Sequence, residues 1–397
     1  MLTKDMNKYD KYLFLLILGL GLGGIGGALQ IPRVLAILFL PSLMRVNVST
    51  SYISRIRTFF IIWMLWIVMS LIWTPDKSVG MKYSIYYLVH FIYFLEICTF
   101  STVAKNPFES ISSGWVYAIL ISSVVGYWEL ITDQHTYISK LEGGQVRNLG
   151  GGLIVSQKFA ASFFLNYNSY VTFLCTGLPF VFYKLMNTRG FNLKSLPQII
   201  ALISAAVFIL YNASRGGALA LAIMFLGYVI ATRKAGTGKF SFIMIVAVGA
   251  VIFMKFGSDM LAGITSRLSA EGTFSEDSRW TIWLNALRVF ADTLGLGTGV
   301  GGIMTSMTSV SNDILITHNF LLEVLVESGI FIFVYFIILL LRIVKIAIKM
   351  PTSLTKNVLV IALLAFPFYS IIDSSYCVSP FTFALLSSLA VFAYEYR

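Results

Sequence analysis

Long apolar stretches alternate with short polar turns along most of this 397-residue chain. A helix crossing about 30 Å of hydrocarbon needs roughly 20 mostly apolar residues. Windows of that kind fall near residues 12–29, 31–44, 58–74, 83–103, 111–131, 168–186, 196–212, 215–232, 240–256, 319–348, 357–373 and 378–394. The pattern predicts an all-α polytopic membrane protein with about twelve transmembrane helices. The second window is short and carries Pro32, Arg33 and Pro41, and it follows Gly19, Gly21, Gly23, Gly24, Gly26 and Gly27. Small residues let backbones approach closely, and irregular backbone in a membrane must be covered by protein, so the first pair is expected to form a close-packed or partly re-entrant hairpin. Lys4, Lys8 and Lys11 precede a first helix without a small-residue cleavage site, so that helix is expected to be retained. No internal repeat or linker interrupts the pattern, and a single integral membrane domain is expected over residues 1–397.

Two polar segments break the rhythm, at 132–167 and 257–318. Loops of that length in a compact protein usually hold structure and carry function. In the second, Asp277 or Ser278 can cap a helix. Trp280, Trp283, Leu284, Leu287 and Phe290 then recur at three- and four-residue spacing as an apolar stripe. Such a helix would lie on the membrane surface or pack onto the bundle. It ends in Gly295, Gly297, Gly299, Gly301 and Gly302, a run suited to a tight backbone turn rather than a helix.

Composition agrees with a membrane protein: 57% of residues are hydrophobic and 12% charged, against an apolar share of about 45–50% in soluble domains. The formal net charge of +11 does not imply nucleic acid. Most lysines and arginines fall in alternate short loops, which are cytoplasmic if the N-terminus is, and no basic stripe interleaved with aromatics appears. Those cations face the membrane lipids on the cytoplasmic rim. With that orientation both long loops are extracytoplasmic. Cys98, Cys175 and Cys377 fall in or beside apolar segments and form neither a disulfide framework nor a metal-ligand spacing.

Three polar motifs remain, and topology puts them on one face: Ser214-Arg215-Gly216, Ser278-Arg279-Trp280 and Thr317-His318-Asn319. Two arginines and a histidine at an outer membrane surface suggest a site for a phosphorylated lipid. Guanidinium donates to two oxygens at once and stays charged in a partly dry site. Arg215 also opens a helix, whose free N–H groups and dipole attract an anion. Imidazole has the proton affinity closest to neutral pH, and a positive helix end beside His318 would keep it unprotonated.

Ser214-Arg215-Gly216-Gly217 at the start of a helix, Ser278-Arg279-Trp280 with Trp283 ahead of Gly295-Leu296-Gly297-Thr298-Gly299, and His318-Asn319-Phe320-Leu321-Leu322-Glu323 with Glu327-Ser328-Gly329 occur in the order seen in the bacterial O-antigen ligase and polymerase superfamily, which the chain resembles. Weaker echoes are Trp73-Thr74-Pro75-Asp76, Asn168 and Pro179. The resemblance runs from about Leu71 to Gly329. It implies a GT-C-like fold with short helices in the large extracytoplasmic loop. It also implies a glycosyltransferase that takes a glycan from undecaprenyl diphosphate and passes it to an acceptor, either a glycan or a lipid A-core, on the outer face of the inner membrane. Arg215 and Arg279 would then hold the departing diphosphate, whose charge grows in the transition state. His318 would remove the acceptor proton. Attack opposite the leaving group inverts the anomeric centre. No cofactor and no metal are expected, since two guanidinium groups can carry the charge and no Asp-X-Asp pair occurs, although Glu276-Asp277 is acidic.

Each residue also has a plainer reading. Arg215 fits an interfacial anchor, Arg279 a surface pair with Glu276, and His318 a helix cap. Secondary candidates are Arg147, Lys158, Arg288, Asn319 and Glu327. Arg288 lies nine residues beyond Arg279, on the opposite side of a straight helix. A carboxylate such as Glu327 inside a membrane helix either relays protons or holds neighbouring backbone. A secondary transporter or a lipid-glycan flippase is the competing class. A transporter would bind at the midplane on broken helices and paired repeats, but the chain shows neither a six-plus-six symmetry nor a basic signature in the loop from Arg45 to Arg57. A flippase would line a central cavity with cations, of which these helices are nearly free.

Overall fold

The computed structural model describes residues 6–47, 51–139, 145–148, 154–157, 159–188, 193–233, 279–311 and 316–394. The predicted helix at 240–256, Lys158, and the Glu276-Asp277-Ser278 cap region lie outside the described residues. The helices are α1 (Lys8–Gly19), α2 (Ile31–Leu43), α3 (Ser51–Ser70), α4 (Lys77–Ser101), α5 (Pro107–Thr132), α6 (Tyr167–Asn187), α7 (Leu196–Tyr211), α8 (Arg215–Thr232), α9 (Arg279–Asp292), α10 (Ile303–Met307), α11 (Phe320–Lys349), α12 (Leu354–Tyr369) and α13 (Pro380–Tyr394). Among the described residues six helices are long and apolar enough to cross a membrane, namely α3, α4, α5, α6, α8 and α11; α2, α7, α12 and α13 are shorter apolar helices. The chain is a multi-pass membrane protein of helical architecture. Its polar segment at 132–167 adds a two-stranded antiparallel hairpin, β1 (Gln145–Asn148) with β2 (Ile154–Gln157), in which Arg147 pairs in register with Val155.

Two compact units divide the chain. The first comprises residues 1–35, 103–273 and 350–372. In it α1 is only 12 residues long, about 18 Å, and gives way at Gly19 to glycine-rich turns. The reason is contact: a Cβ on Gly21 would meet the Ala118 carbonyl oxygen of α5 at 2.4 Å. Buried Asp10 fixes the other end by accepting from the backbone N–H groups of Asn7, Lys105 and Asn106 and from the Ser110 hydroxyl. Farther along, Trp115 of α5 stacks on Phe180 of α6 with ring centroids 5.8 Å apart, and Glu109 pairs with Lys184.

The second unit comprises residues 36–102, 274–349 and 373–397. Its core packs α3, α4, α11 and α13 through an aromatic cluster centred on Phe60 and Trp63. The Trp63 indole donates to the Ser328 hydroxyl at 3.0 Å. α11 breaks at Gly329, which has φ 78°. Into that break the predicted glycine turn inserts: Ile330 N–H donates to the Gly295 carbonyl, and Thr298 and Gly299 N–H donate to the carbonyls of Val326 and Glu327. A Cβ on Gly297 would lie 2.6 Å from the Gly329 nitrogen, so backbone meets backbone with no room for side chains. These bonds satisfy polar groups that the broken helix would otherwise leave unpaired in an apolar setting.

Candidate active site

The second unit holds the start of α9 and the His318 turn that leads into the N-terminal end of α11. α9 packs with Ile282, Ala286 and Val289 against Ile303, Met307 and Val326. The buried face therefore differs from the predicted stripe: Trp280, Leu284 and Leu287 are exposed, and of that stripe only Trp283 and Phe290 reach the cluster. The large exposed side chains suit an interfacial helix. Trp283 also locks the approach to the histidine, its indole donating to the Thr317 carbonyl at 3.1 Å.

His318 follows directly, in a left-handed conformation with φ 46°. For a bulky residue that conformation is uncommon and is held by its surroundings. Asn319 caps α11, its side-chain oxygen accepting from Leu322 N–H at 3.2 Å. The imidazole Nδ1 is buried without a hydrogen-bond partner. The Asp373 backbone lies near enough to the ring to favour its protonated form. Burial first, and the nearby Arg279 guanidinium second, push the proton affinity of His318 down to a pKa of about 4, opposed by the Asp373 backbone. A proton affinity that low keeps the histidine neutral at physiological pH.

Arg279 is the first residue of α9 and is exposed. Arg288 lies on the same unbroken helix, where it donates to the Asn285 side chain at 3.2 Å. Arg215 belongs to the first unit and is the exposed first residue of α8. There Ser214 caps the helix by accepting from Gly217 N–H, after Ala213 turns the chain at φ 49°. Asn212 holds the segment before it with two bonds to the Ala160 backbone. Within the second unit Arg279 is close enough to act on the charge of His318, Asn319 follows it in the chain, Glu327 lines a cavity that Thr317 also lines, and Arg288 is on the same helix as Arg279.

Beside His318 lies a cavity of about 270 Å³ lined by Lys82, Tyr83, Thr305, Thr317, Glu323 and Glu327, with Ser374 and Ser375 at its wall. Thr317 precedes the histidine, and Ser374 follows its backbone partner Asp373. The carboxylates are placed by fixed donors: Glu327 accepts from Gly301 N–H and the Tyr87 hydroxyl, and Glu323 from the N–H groups of Tyr376 and Cys377. Glu323, Glu327 and Cys377 present ligand atoms within 4.8 Å of one another, a set able to hold a metal ion. The motifs alone did not disclose Lys82, Tyr83 or Asp373, which come from helices and turns far away in sequence.

Residues 200–337, which include all three polar motifs, match the sequence model of the family described as O-antigen ligase. The chain is also 23% identical over 346 residues to the teichuronic acid biosynthesis protein TuaE of Bacillus subtilis strain 168, covering 81% of this chain and 68% of that protein. Together these likenesses support the O-antigen ligase and polymerase superfamily, and suggest a membrane glycan-processing enzyme.

Proposed function

We propose that this protein moves a glycan from an undecaprenyl-diphosphate donor to a sugar hydroxyl of an acceptor, on the outer face of the cytoplasmic membrane, by inversion and without a metal. The observation that carries the reading is the unshared, buried Nδ1 of His318 next to the charge of Arg279 and a carboxylate-lined cavity. A neutral imidazole with a free lone pair accepts the acceptor's proton as its oxygen attacks the anomeric carbon. Arg279 meets the charge that builds on the departing diphosphate, an interaction stronger in the transition state than in the ground state. Binding that anion also offsets the positive field on His318, so the donor itself raises the basicity of the imidazole. Arg215 is assigned the second guanidinium from its motif and its place at a helix N-terminus. The cavity is the place for the acceptor's terminal sugar: its volume, just below the usual range of small-ligand pockets, suits a single ring, and Glu323, Glu327 and Thr317 can accept hydrogen bonds from sugar hydroxyls.

Polymerase and ligase share this donor chemistry and differ in the acceptor, a second lipid-linked glycan or a lipid A-core. A relative named for teichuronic acid biosynthesis supports polymer assembly, and we favour the polymerase. Incubating the purified protein with an undecaprenyl-diphosphate oligosaccharide in the presence of EDTA tests the reading. Release of undecaprenyl diphosphate together with a longer lipid-linked glycan is expected. Loss of transfer in EDTA with recovery on adding magnesium, manganese or zinc would instead move the chemistry to Glu323, Glu327 and Cys377.

A further inference from the structure

A second cavity in the same unit, of about 380 Å³, lies at the opposite end of its helices. It is bounded by the start of α3, the end of α4 and the last turns of α11 and α13. The last turns of α11 stand about 30 Å along the helix from the Gly329 break, away from His318. Its inner wall is aromatic, formed by Phe59, Phe60 and Phe94, and Tyr52 stacks on Tyr394 beside it. Its rim carries four cations, Arg55, Arg342, Lys345 and Lys349, and no acidic residue lines it. Among the described residues none of the four is paired with a carboxylate.

Four like charges around one opening repel one another unless an anion sits among them. A soluble anion would satisfy the rim and leave the aromatic wall bare; a zwitterionic lipid would fill the wall and leave the rim uncompensated. We propose that this cavity binds an anionic phospholipid, with its phosphate held at the rim and an acyl chain lying against Phe59, Phe60 and Phe94. Basic pockets between helices at a cytoplasmic surface bind acidic lipid headgroups on these grounds. A cationic rim that only sets topology would hold no particular lipid, because such charges act through the surface potential alone.

The test is native mass spectrometry of the protein released from nanodiscs made with equal parts phosphatidylglycerol and phosphatidylcholine. Wild type is expected to retain phosphatidylglycerol in preference to phosphatidylcholine by about tenfold or more. The variant Arg55→Gln/Arg342→Gln/Lys345→Gln/Lys349→Gln is expected to lose that preference, and a variant neutralised at Lys8, Lys11, Arg45 and Arg233 to keep it. Leu340→Trp, which fills the cavity and leaves every charge in place, is expected to expel the lipid and decides the matter if the quadruple variant fails to fold. Equal loss in the control variant, or unchanged retention in Leu340→Trp, overturns the proposal in favour of diffuse surface attraction.

Discussion

Glu327 on α11 accepts a hydrogen bond from the backbone N–H of Gly301 at 2.5 Å. That bond ties the glycine turn to the helix carrying the histidine motif, and the Tyr87 hydroxyl completes the arrangement from α4 at 3.1 Å. Glu327→Ala leaves two buried donors unpaired, at a cost on the order of 1–3 kcal/mol each. It is expected to lower the thermal midpoint clearly. Glu327→Gln keeps an acceptor for Gly301 and a donor for the Tyr87 oxygen, so it should fall between. Differential scanning fluorimetry in detergent checks the order; an alanine variant as stable as wild type would show that the turn is held by its backbone bonds alone.

The low proton affinity of His318 has a measurable sign. Its folded pKa, about 4, lies below the ordinary value of 6.5, so the unfolded chain binds this proton more readily. The histidine therefore favours unfolding between those values as pH falls, and makes no pH-dependent contribution above about 7. Only three histidines occur in the chain, so ¹⁵N-histidine NMR can follow this one by comparison with His318→Ala. Neutral imidazole is expected at pH 6 in wild type. Removing the charge with Arg279→Gln should raise the pKa while leaving it below 6.5, because burial is the larger cause. No change would mean that the guanidinium does not act on the ring.

Much of the fold was legible because apolar runs of membrane length leave a plain mark. Every predicted window overlaps a described helix except 240–256, which lies outside the described residues. The glycine turn was legible for a similar reason, since Gly295, Gly297, Gly299 and Gly301 all adopt positive φ. Which face of α9 is buried was not. In a membrane protein both the packed face and the lipid face are apolar, so periodicity cannot separate Ile282 and Ala286 from Trp280 and Leu284. The break at Gly329 was also hidden, because nothing near it in sequence shows that Gly297 approaches from thirty residues away. His318 stood out by residue type and motif, yet its partner Asp373 lies in another turn, and only folding brings them together.

The charges of the short loops predict a cytoplasmic N-terminus, and with it an extracytoplasmic His318. Thr308 lies exposed just after α10, and Thr352 lies exposed just after α11. The three native cysteines are buried, so background labelling should be low. A membrane-impermeant maleimide added to intact cells is expected to label Thr308→Cys, whereas Thr352→Cys should react only after lysis. The reverse pattern would place the histidine motif on the cytoplasmic side.

Transfer from a purified undecaprenyl-diphosphate oligosaccharide by wild type, His318→Ala and Arg279→Ala, each folded by gel filtration, tests the central claim most directly. A base supplies roughly 10²–10⁴-fold and a fixed charge donor roughly 10²–10³-fold, so both variants are expected to lose at least a hundredfold in rate while still inserting normally. Wild-type rates in both would contradict the account.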